Sequence, residues 1–233
     1  MPPRLKFDLH CHSRFSGDGI ASPESMIARA KELGLAGFAI TDHNTCDCVD
    51  YLLDKGLMRA DGLPVDDFLI IPGQEISTSE GHMLALGITL PNLKGISPEE
   101  AIKEIHRLGG LAIPAHPFDR FRSGIRPLVL DRLVPDAIEV FNAATTWKNF
   151  NRRAREYAGA RGIPGTVGSD AHHSQAVGRA YTILEPERFD LAAVLAAIKK
   201  PVGHEECYIT KKDACLKTWH LVWMKIKRGG GRV

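Results

Sequence analysis

The stretch Phe7-Asp-Leu-His-Cys-His-Ser-Arg-Phe-Ser-Gly-Asp-Gly19 decides the fold of this chain, because a short apolar run ends there in two histidines. His10 and His12 are two residues apart, and in a strand such side chains point to the same side. Two imidazoles on one side can hold one metal ion. Cys11 lies between them and is expected to point the opposite way, into a packed interior. The stretch therefore predicts a strand with a metal-binding end.

Length and composition are typical of one soluble domain. The 233 residues are a normal length for a single α/β barrel, and the 44% hydrophobic and 25% charged residues are ordinary for a soluble protein. No apolar run approaches the ~20 residues that span a bilayer, and the N-terminus lacks the apolar centre of a signal peptide. The five cysteines are odd in number and lack a paired C-x-x-C spacing, which fits reduced thiols. We expect a cytoplasmic protein with no membrane partner.

Positive charge is concentrated at the C-terminus. Residues 211–233 hold seven lysines and arginines against Asp213 alone, a net charge of +6, whereas the whole chain carries +2. The rest of the chain is therefore mildly acidic, which suits bound cations. The basic segment either contacts polyanions or is a solvated end, and the solvated end is the favoured interpretation.

Short apolar runs alternate with amphipathic helical patterns. Seven runs with strand composition occupy residues 7–12, 37–43, 68–75, 81–88, 111–117, 137–142 and 165–172. Helix starts are marked by Ser22-Pro-Glu24 and by the capping box Ser97-Pro-Glu-Glu100. In six of the seven runs, metal-capable residues gather at the C-terminal end, where a (β/α) barrel builds its active site. The pattern therefore predicts an α/β fold with largely parallel strands, closed into a barrel rather than an open sheet.

Nine side chains at these strand ends offer imidazole nitrogen or carboxylate oxygen. They are His10, His12, Asp18, His43, Glu75, His82, His116, Asp170 and His172. Such ligands suit Zn²⁺, Mn²⁺ or Fe²⁺, and nine exceed the needs of one ion, so two or three clustered divalent ions are expected. Any one of these residues alone is more often a hydrogen-bonded loop or core side chain. Clustered ions about 3.5 to 4 Å apart suit the hydrolysis of phosphate esters.

The ordered motifs of the chain resemble one known family, the polymerase and histidinol phosphatase (PHP) domain. The resemblance extends from Phe7 to about Leu184. It is carried by His10-x-His12, Thr41-Asp-His43, Gly73-x-Glu75, Ala115-His-Pro117 and Gly168-Ser-Asp-Ala-His172. It implies a distorted (β/α)7 TIM-like barrel, a centre of two or three metal ions and phosphoesterase activity. Residues 1–210 would form this barrel, and residues 211–233 a basic C-terminal helix or tail of the same domain.

The resemblance also implies how the nine ligands divide among the ions. One ion would be held by His10, His12, Glu75 and Asp170, with Glu75 bridging to a second. The second ion would take His82 and His116. A third would be held by Asp18, His43 and His172.

Other residues near these ligands are candidates for supporting and catalytic roles. Asp42 is expected to orient an imidazole or a metal-bound water, with the alternative that it caps the following helix. Glu139 and Asn142 match a similar Glu-Val-x-Asn pattern in the family and are given supporting roles. Four loop arginines are candidates for binding substrate phosphate, and Arg179, after Gly178, is the first choice. The other three are Arg14, Arg120 and Arg122.

These observations predict a metal-dependent phosphoesterase. Metal-bound hydroxide would attack the phosphorus of a small phosphomonoester or a nucleotide phosphate. One alternative is an exonuclease acting on single-stranded nucleic acid ends, with the basic tail supplying phosphate contacts. It takes second place because no base-stacking aromatic residue is evident between basic residues. The other alternative is a non-catalytic metal-binding module, and the oligomeric state stays open.

Overall fold

The computed structural model describes residues 3–210, so the predicted basic tail, 211–233, lies outside the described residues. The described residues form ten strands: β1 (Leu5–Cys11), β2 (Gly37–Ile40), β3 (Leu69–Ile71), β4 (Gly73–Thr78), β5 (Gly81–Leu86), β6 (Leu111–Pro114), β7 (Ile138–Asn142), β8 (Gly165–Gly168), β9 (Ala180–Leu184) and β10 (Gly203–Glu206). Six α-helices accompany them: α1 (Pro23–Glu32), α2 (Asp47–Asp54), α3 (Pro98–Arg107), α4 (Pro127–Leu130), α5 (Lys148–Arg161) and α6 (Leu191–Ile198). A short 3-10 helix covers Ser174–Ala176.

The strands of residues 3–210 form three sheets, the first mixed, the second antiparallel and the third parallel. The first has the order β10-β9-β1-β2-β3, the second β4-β5-β6, and the third β7-β8. Pairing is parallel in β1–β2, β2–β3 and β7–β8, and antiparallel in the other four pairs. The α/β class is therefore confirmed, and the parallel pairs lie where helices separate consecutive strands.

The predicted distorted (β/α)7 barrel is confirmed only in its α/β class, because the strands of residues 3–210 form no continuous hydrogen-bonded ring. Only two residues, 79 and 80, separate β4 from β5, and strands joined so closely can pair only antiparallel. A further break lies at Pro72, inside the third apolar run. Proline has no N–H to donate to a ladder, so the run divides into β3, which pairs with β2, and β4, which pairs with β5.

Single bridges join the sheets where the strands carry their polar ends. His43, beyond β2, bridges to Glu75 in β4, and Cys11, at the end of β1, bridges to Ala171 beyond β8. The amide of Asp170 donates to the carbonyl of His10 at 2.8 Å. The C-terminal ends of β1, β2 and β8 and the start of the β4–β5 hairpin consequently meet at one place.

Helix caps and core packing follow the sequence pattern closely. Ser22 caps α1 through the amide of Ser25, and the capping box predicted at Ser97 and Glu100 is present. Cys11 is fully buried, as the strand alternation predicts. Within the described part of the chain, no helix has the length and apolar character needed to cross a membrane.

Candidate metal centre

The end of β1 brings His10 and His12 together, and a carboxylate approaches from each side. Their Nε2 atoms are 3.1 Å apart. Glu75 Oε2 lies 3.3 Å from His10 Nε2 and 3.2 Å from His12 Nε2. Asp170 Oδ1 lies 3.4 Å from His12 Nε2 and 3.7 Å from His10 Nε2. Ligands about 2.0–2.1 Å from a tetrahedral ion are roughly 3.3 Å from one another. The four atoms therefore have the mutual spacing of ligands to one ion.

Glu75 presents its two carboxylate oxygens to different histidines. Oε1 lies 2.8 Å from His82 Nδ1 and 3.0 Å from His116 Nε2. Oε2, which faces His10 and His12, also lies 3.2 Å from His43 Nδ1. The hairpin explains part of this arrangement, because β4–β5 pairing sets His82 opposite Ser77, diagonally beside Glu75 on the same face. A carboxylate in this position can bridge two adjacent cations.

A third group of ligands lies farther out, at the mouth of the site. Asp18 Oδ2 is 2.8 Å from His172 Nε2 and 3.8 Å from His43 Nε2. The hydroxyl of Ser16 donates to Asp18 Oδ1 at 2.9 Å and fixes the carboxylate. The Asp18 carboxylate is therefore held within reach of both histidines.

All nine predicted ligands fall into four overlapping groups, in each of which the candidate ligand atoms lie within 4.8 Å of one another. The groups are His12, Asp18, His43 and His172; His10, His116 and Asp170; His10, His12 and Glu75; and His43, Glu75 and His82. The groups share residues, so the division into three ions stays a prediction.

Two of the candidate ligands have a positive φ, a backbone conformation that residues other than glycine rarely adopt. His116 has a φ of +31° and Asp170 a φ of +52°. Each of these residues turns the chain sharply just after a strand, β6 or β8, which aims its side chain at the cluster. At the end of β8, a Cβ on Gly168 would lie 2.5 Å from the Cβ of His10, so only glycine allows β8 to approach β1 this closely.

Buried negative charge is balanced by positive charge at the centre of the cluster. Burial opposes ionisation of Asp170, but Arg122 and His10 outweigh it and hold the pKa of this carboxyl well below its usual range. Burial also opposes protonation of His12, but the carboxylates of Asp170 and Glu75 raise its pKa to about 9. Asp170 Oδ1 is buried and accepts no hydrogen bond from the described residues. Divalent cations would supply the positive charge with the imidazoles neutral, so the donor set fits Zn²⁺, Mn²⁺ or Fe²⁺.

Glu139 and Asn142, both on β7, contact the candidate ligands and hold them in place. Glu139 Oε1 lies 3.0 Å from His10 Nδ1, and its Oε2 accepts from the amide of His116 at 2.6 Å. Asn142 Nδ2 donates to Glu139 Oε2 and to Asp170 Oδ2, both at 3.0 Å. Since Glu139 occupies the Nδ1 side of His10, the opposite nitrogen, Nε2, is directed into the cluster.

The two predicted catalytic residues occupy different positions relative to the cluster. Asp42 accepts from the amide and from the hydroxyl of Ser13, each at 2.6 Å, and so fixes the turn after His12. It does not cap the following helix, because Cys46 occupies the N-cap of α2. Arg179 directly precedes β9, and its carbonyl oxygen accepts a hydrogen bond from the amide of Cys207 at 2.8 Å. A catalytic role stays a prediction for both.

Arg122 and Asp8 contact the cluster more closely than the sequence pattern indicates. Arg122 Nη2 lies 2.6 Å from Asp170 Oδ2, and its Nη1 donates to Asn142 Oδ1 at 3.2 Å. Asp8 is fully buried inside β1 and accepts from the amides of Ser169 at 2.9 Å and Gly178 at 2.8 Å. An aspartate in an otherwise apolar strand was the available signal, since a buried carboxylate requires partners.

Comparison with known proteins agrees with these motifs. The family model for the PHP domain matches residues 8–113, and the model described as PHP-associated matches residues 148–201. An uncharacterized protein of Methanocaldococcus jannaschii is 36% identical over 149 residues, which cover 60% of this chain and 82% of that protein. A probable histidinol-phosphatase of Thermotoga maritima is 28% identical over 204 residues, 74% of this chain and 86% of the relative.

More distant similarities include nucleases. The 5'-3' exoribonuclease Rnm of Salmonella typhimurium is 35% identical over 88 residues, 36% of this chain and 28% of that enzyme. Among solved structures, PsfC from Pseudomonas syringae aligns with a TM-score of 0.74 and 20% identity, over 95% of this chain and 99% of PsfC. The lesion-specific endonuclease of Pyrococcus furiosus aligns with a TM-score of 0.71 and 20% identity, over 93% of this chain and 66% of that protein. At this identity the structures establish a shared fold. The chain belongs to the PHP family of metal-dependent hydrolases.

Proposed function

We propose that this protein is a phosphoesterase that hydrolyses a small phosphomonoester or a nucleotide phosphate at the nine-residue cluster. The observation that carries the proposal is Glu75, whose two carboxylate oxygens contact separate sets of histidines. When bound, two or three divalent ions lower the pKa of a water molecule and stabilise negative charge on phosphoryl oxygens. The family membership supports this chemistry, and the substrate is our inference.

Arg122 is proposed to bind a phosphoryl oxygen beside the metal ligands. Burial disfavours its charge, but the carboxylates of Asp170 and Glu75 outweigh burial and raise its pKa, so it stays a cation. Its side chain is 20% exposed, and its Nη2 and Nη1 atoms contact Asp170 and Asn142 respectively. The planar fork matches the geometry of a phosphate, so the remaining N–H groups can hold the substrate. Arg179 remains a second candidate for this role.

Alanine replacement of a central ligand tests the proposed function. His10→Ala and Asp170→Ala should abolish hydrolysis of phosphomonoesters and nucleotides in the presence of Mn²⁺ or Zn²⁺. His10 belongs to two of the four ligand groups, and Asp170 supplies a buried carboxylate. His204→Ala is the matched control, since His204 lies on β10 and is 39% exposed. Circular dichroism confirms that each variant is folded. Full activity in either ligand variant would refute the mechanism.

A second candidate function, cleavage of single-stranded nucleic acid ends, is favoured by Phe121. This side chain is 61% exposed, and the guanidinium of Arg120 stacks over its ring at 5.2 Å. Phe121 also precedes Arg122, so it is an aromatic residue between two basic ones, which the sequence reasoning overlooked. Exposed rings of this kind stack on nucleobases. The exoribonuclease relative gives further support.

Salt dependence separates the two candidate substrates. Binding of a single strand weakens with salt with a log-log slope near −0.7 for each neutralised phosphate. A nuclease should therefore lose affinity steeply for an oligonucleotide substrate between low and high salt. Turnover confined to short substrates and insensitive to salt would argue against it.

The third possibility, a non-catalytic metal-binding module, is the least supported. All nine candidate ligand positions are filled, and in each of the four groups the candidate ligand atoms lie within 4.8 Å of one another. We also propose that residues 1–210 form one phosphoesterase unit, with 211–233 belonging to the same domain. The two matched segments, 8–113 and 148–201, support the first unit, and the assignment of 211–233 rests on the sequence alone. Metal binding without any phosphoester hydrolysis would favour the module instead.

A further inference from the structure

A groove with a volume of about 910 Å³ opens beside the metal centre. One wall is the β4–β5 hairpin, and the other is the segment from Arg120 to Arg132. His82, a predicted ligand, lies at the junction between the groove and the cluster. The volume is at the upper end of the roughly 300–1,000 Å³ typical of ligand sites, so the groove has room for more than a single phosphoryl group.

Two arginine side chains in the groove have no carboxylate partner among residues 3–210. Arg120 and Arg126 both line it with exposed side chains, and no carboxylate among residues 3–210 pairs with either. Arg132, by contrast, is neutralised by Glu80 at 3.1 Å and by Glu99 at 3.2 Å. The carboxylate of Glu80, which also lines the groove, is thus compensated locally. The groove therefore keeps an excess of positive charge next to the metal ligands.

The groove is built rigidly onto the metal centre. The amide of His82 donates to the carbonyl of Ser123 at 2.9 Å. At the hairpin turn, Gly81 has a φ of +135°, and a Cβ there would lie 2.7 Å from the amide nitrogen of Ile125. Gly124 packs equally closely, since its Cβ would lie 2.4 Å from the carbonyl oxygen of His116. Both groove walls are therefore held at a fixed position relative to two ligands.

We propose that Arg120 and Arg126 bind a second phosphate of the substrate, one that is not hydrolysed. This inference rests on the proposed function. Guanidinium groups recognise phosphate through paired N–H donors, and the hydroxyls of Ser77, Ser79 and Ser123 line the same groove. The scissile phosphate would lie at the metal centre while the second phosphate occupies the groove beyond His82. Such a phosphate comes from a nucleoside bisphosphate or from the next linkage of an oligonucleotide.

The test compares substrates that differ in the second phosphate. With Mn²⁺-loaded protein, kcat/KM is measured for a nucleoside 5'-monophosphate, a nucleoside 3',5'-bisphosphate and a 5'-phosphorylated dinucleotide. Wild-type protein should prefer one of the two-phosphate substrates at least about tenfold. The double variant R120A/R126A should lose that preference, mainly through KM, because each arginine contributes a charge-assisted contact worth about tenfold or more. Preference for the bisphosphate or for the dinucleotide identifies the source of the phosphate.

Arg188→Ala is the control, because Arg188 follows β9 near its pairing with the start of β1, away from the strand ends that carry the ligands. Equal kcat/KM for all three substrates in the wild type, or an unchanged preference in the double variant, would overturn the second-phosphate site. Absence of hydrolysis with every substrate would instead defeat the proposed function. In that case, calorimetric titration with the bisphosphate decides the inference, since equal Kd values for wild type and double variant would overturn it.

Discussion

Replacing Glu139 by glutamine should impair the metal centre without removing any metal ligand. The carboxylate uses Oε1 toward His10 Nδ1 and Oε2 toward two donors, the amide of His116 and Nδ2 of Asn142. In glutamine one oxygen becomes an NH₂ group. If this group replaces Oε2, it faces two other donors. If it replaces Oε1, His10 must accept at Nδ1 and carry its proton on Nε2, the nitrogen that faces the cluster.

The size of the effect follows from these contacts. Glu139 is almost fully buried, so a lost partner is not replaced by water. Loss of an outer-shell partner of a ligating histidine typically lowers metal affinity by 10- to 100-fold, or about 1.4 to 2.7 kcal/mol. We expect an effect in this range for E139Q on the ion bound by His10, with a parallel fall in hydrolysis at limiting metal.

Competition titration with a chelating dye measures the affinity for Mn²⁺ and Zn²⁺ in wild type and E139Q. Glu156→Gln serves as the control, because Glu156 is on α5 with 69% of its side chain exposed. E139D, which keeps both acceptor oxygens, should recover part of the affinity if the protonation of His10 is the cause. Wild-type affinity and activity in E139Q would refute the reasoning.

Three other perturbations probe the cluster and its surroundings. The affinity of metal-free protein for Mn²⁺ should rise up to about tenfold per pH unit from pH 7 to about pH 9, because His12 has a pKa of about 9 and must lose its proton before it can bind the metal. Calorimetry in buffers of different ionisation enthalpy measures the number of protons released on metal binding. The same raised pKa stabilises the metal-free fold fully below the unfolded value of about 6.5, so its thermal stability should fall from pH 6.5 to about 9, and a flat profile would contradict this. Gly81→Ala should lower the free energy of unfolding by about 1–3 kcal/mol, measured in urea, because its Cβ would meet the backbone of Ile125. Asp42→Asn should cost about 1–3 kcal/mol in the same assay, since an amide cannot accept from both donors of Ser13, and unchanged stability would show that these hydrogen bonds are dispensable.

The clustering of the nine candidate ligands could be predicted from sequence because most of them are distinctive residues at or just after the end of an apolar run. His10 and His12 needed only the alternation of a strand, and His116 needed only the expectation that polar residues gather beyond strand ends. Glu75 was expected at the end of a strand, but it lies near the start of β4. The structure brings all nine into one cluster. Which histidines share an ion could not be worked out, because that depends on side-chain rotation within a crowded site.

The sheet arrangement was harder to predict, because it depends on backbone pairing between distant segments. Pro72 divides one apolar run into two strands of different sheets, and β10 is a short and largely exposed strand with little apolar signal. The positions of Arg122 and Asp119 could not be predicted for a similar reason. Asp119 is fully buried, and its carboxylate accepts from the amide of Thr146 at 2.7 Å, which ties the arginine-bearing loop to the segment after β7. Such loop contacts have no periodicity that a sequence pattern could reveal.

The most direct test of the central claim is elemental analysis of the purified protein after loading with Mn²⁺ or Zn²⁺, with phosphoester hydrolysis measured on the same samples. The clustered site predicts two or three ions per chain. It also predicts that Asp170→Ala lowers this number and abolishes hydrolysis together. One ion per chain or none in active wild-type protein would contradict the clustered metal centre.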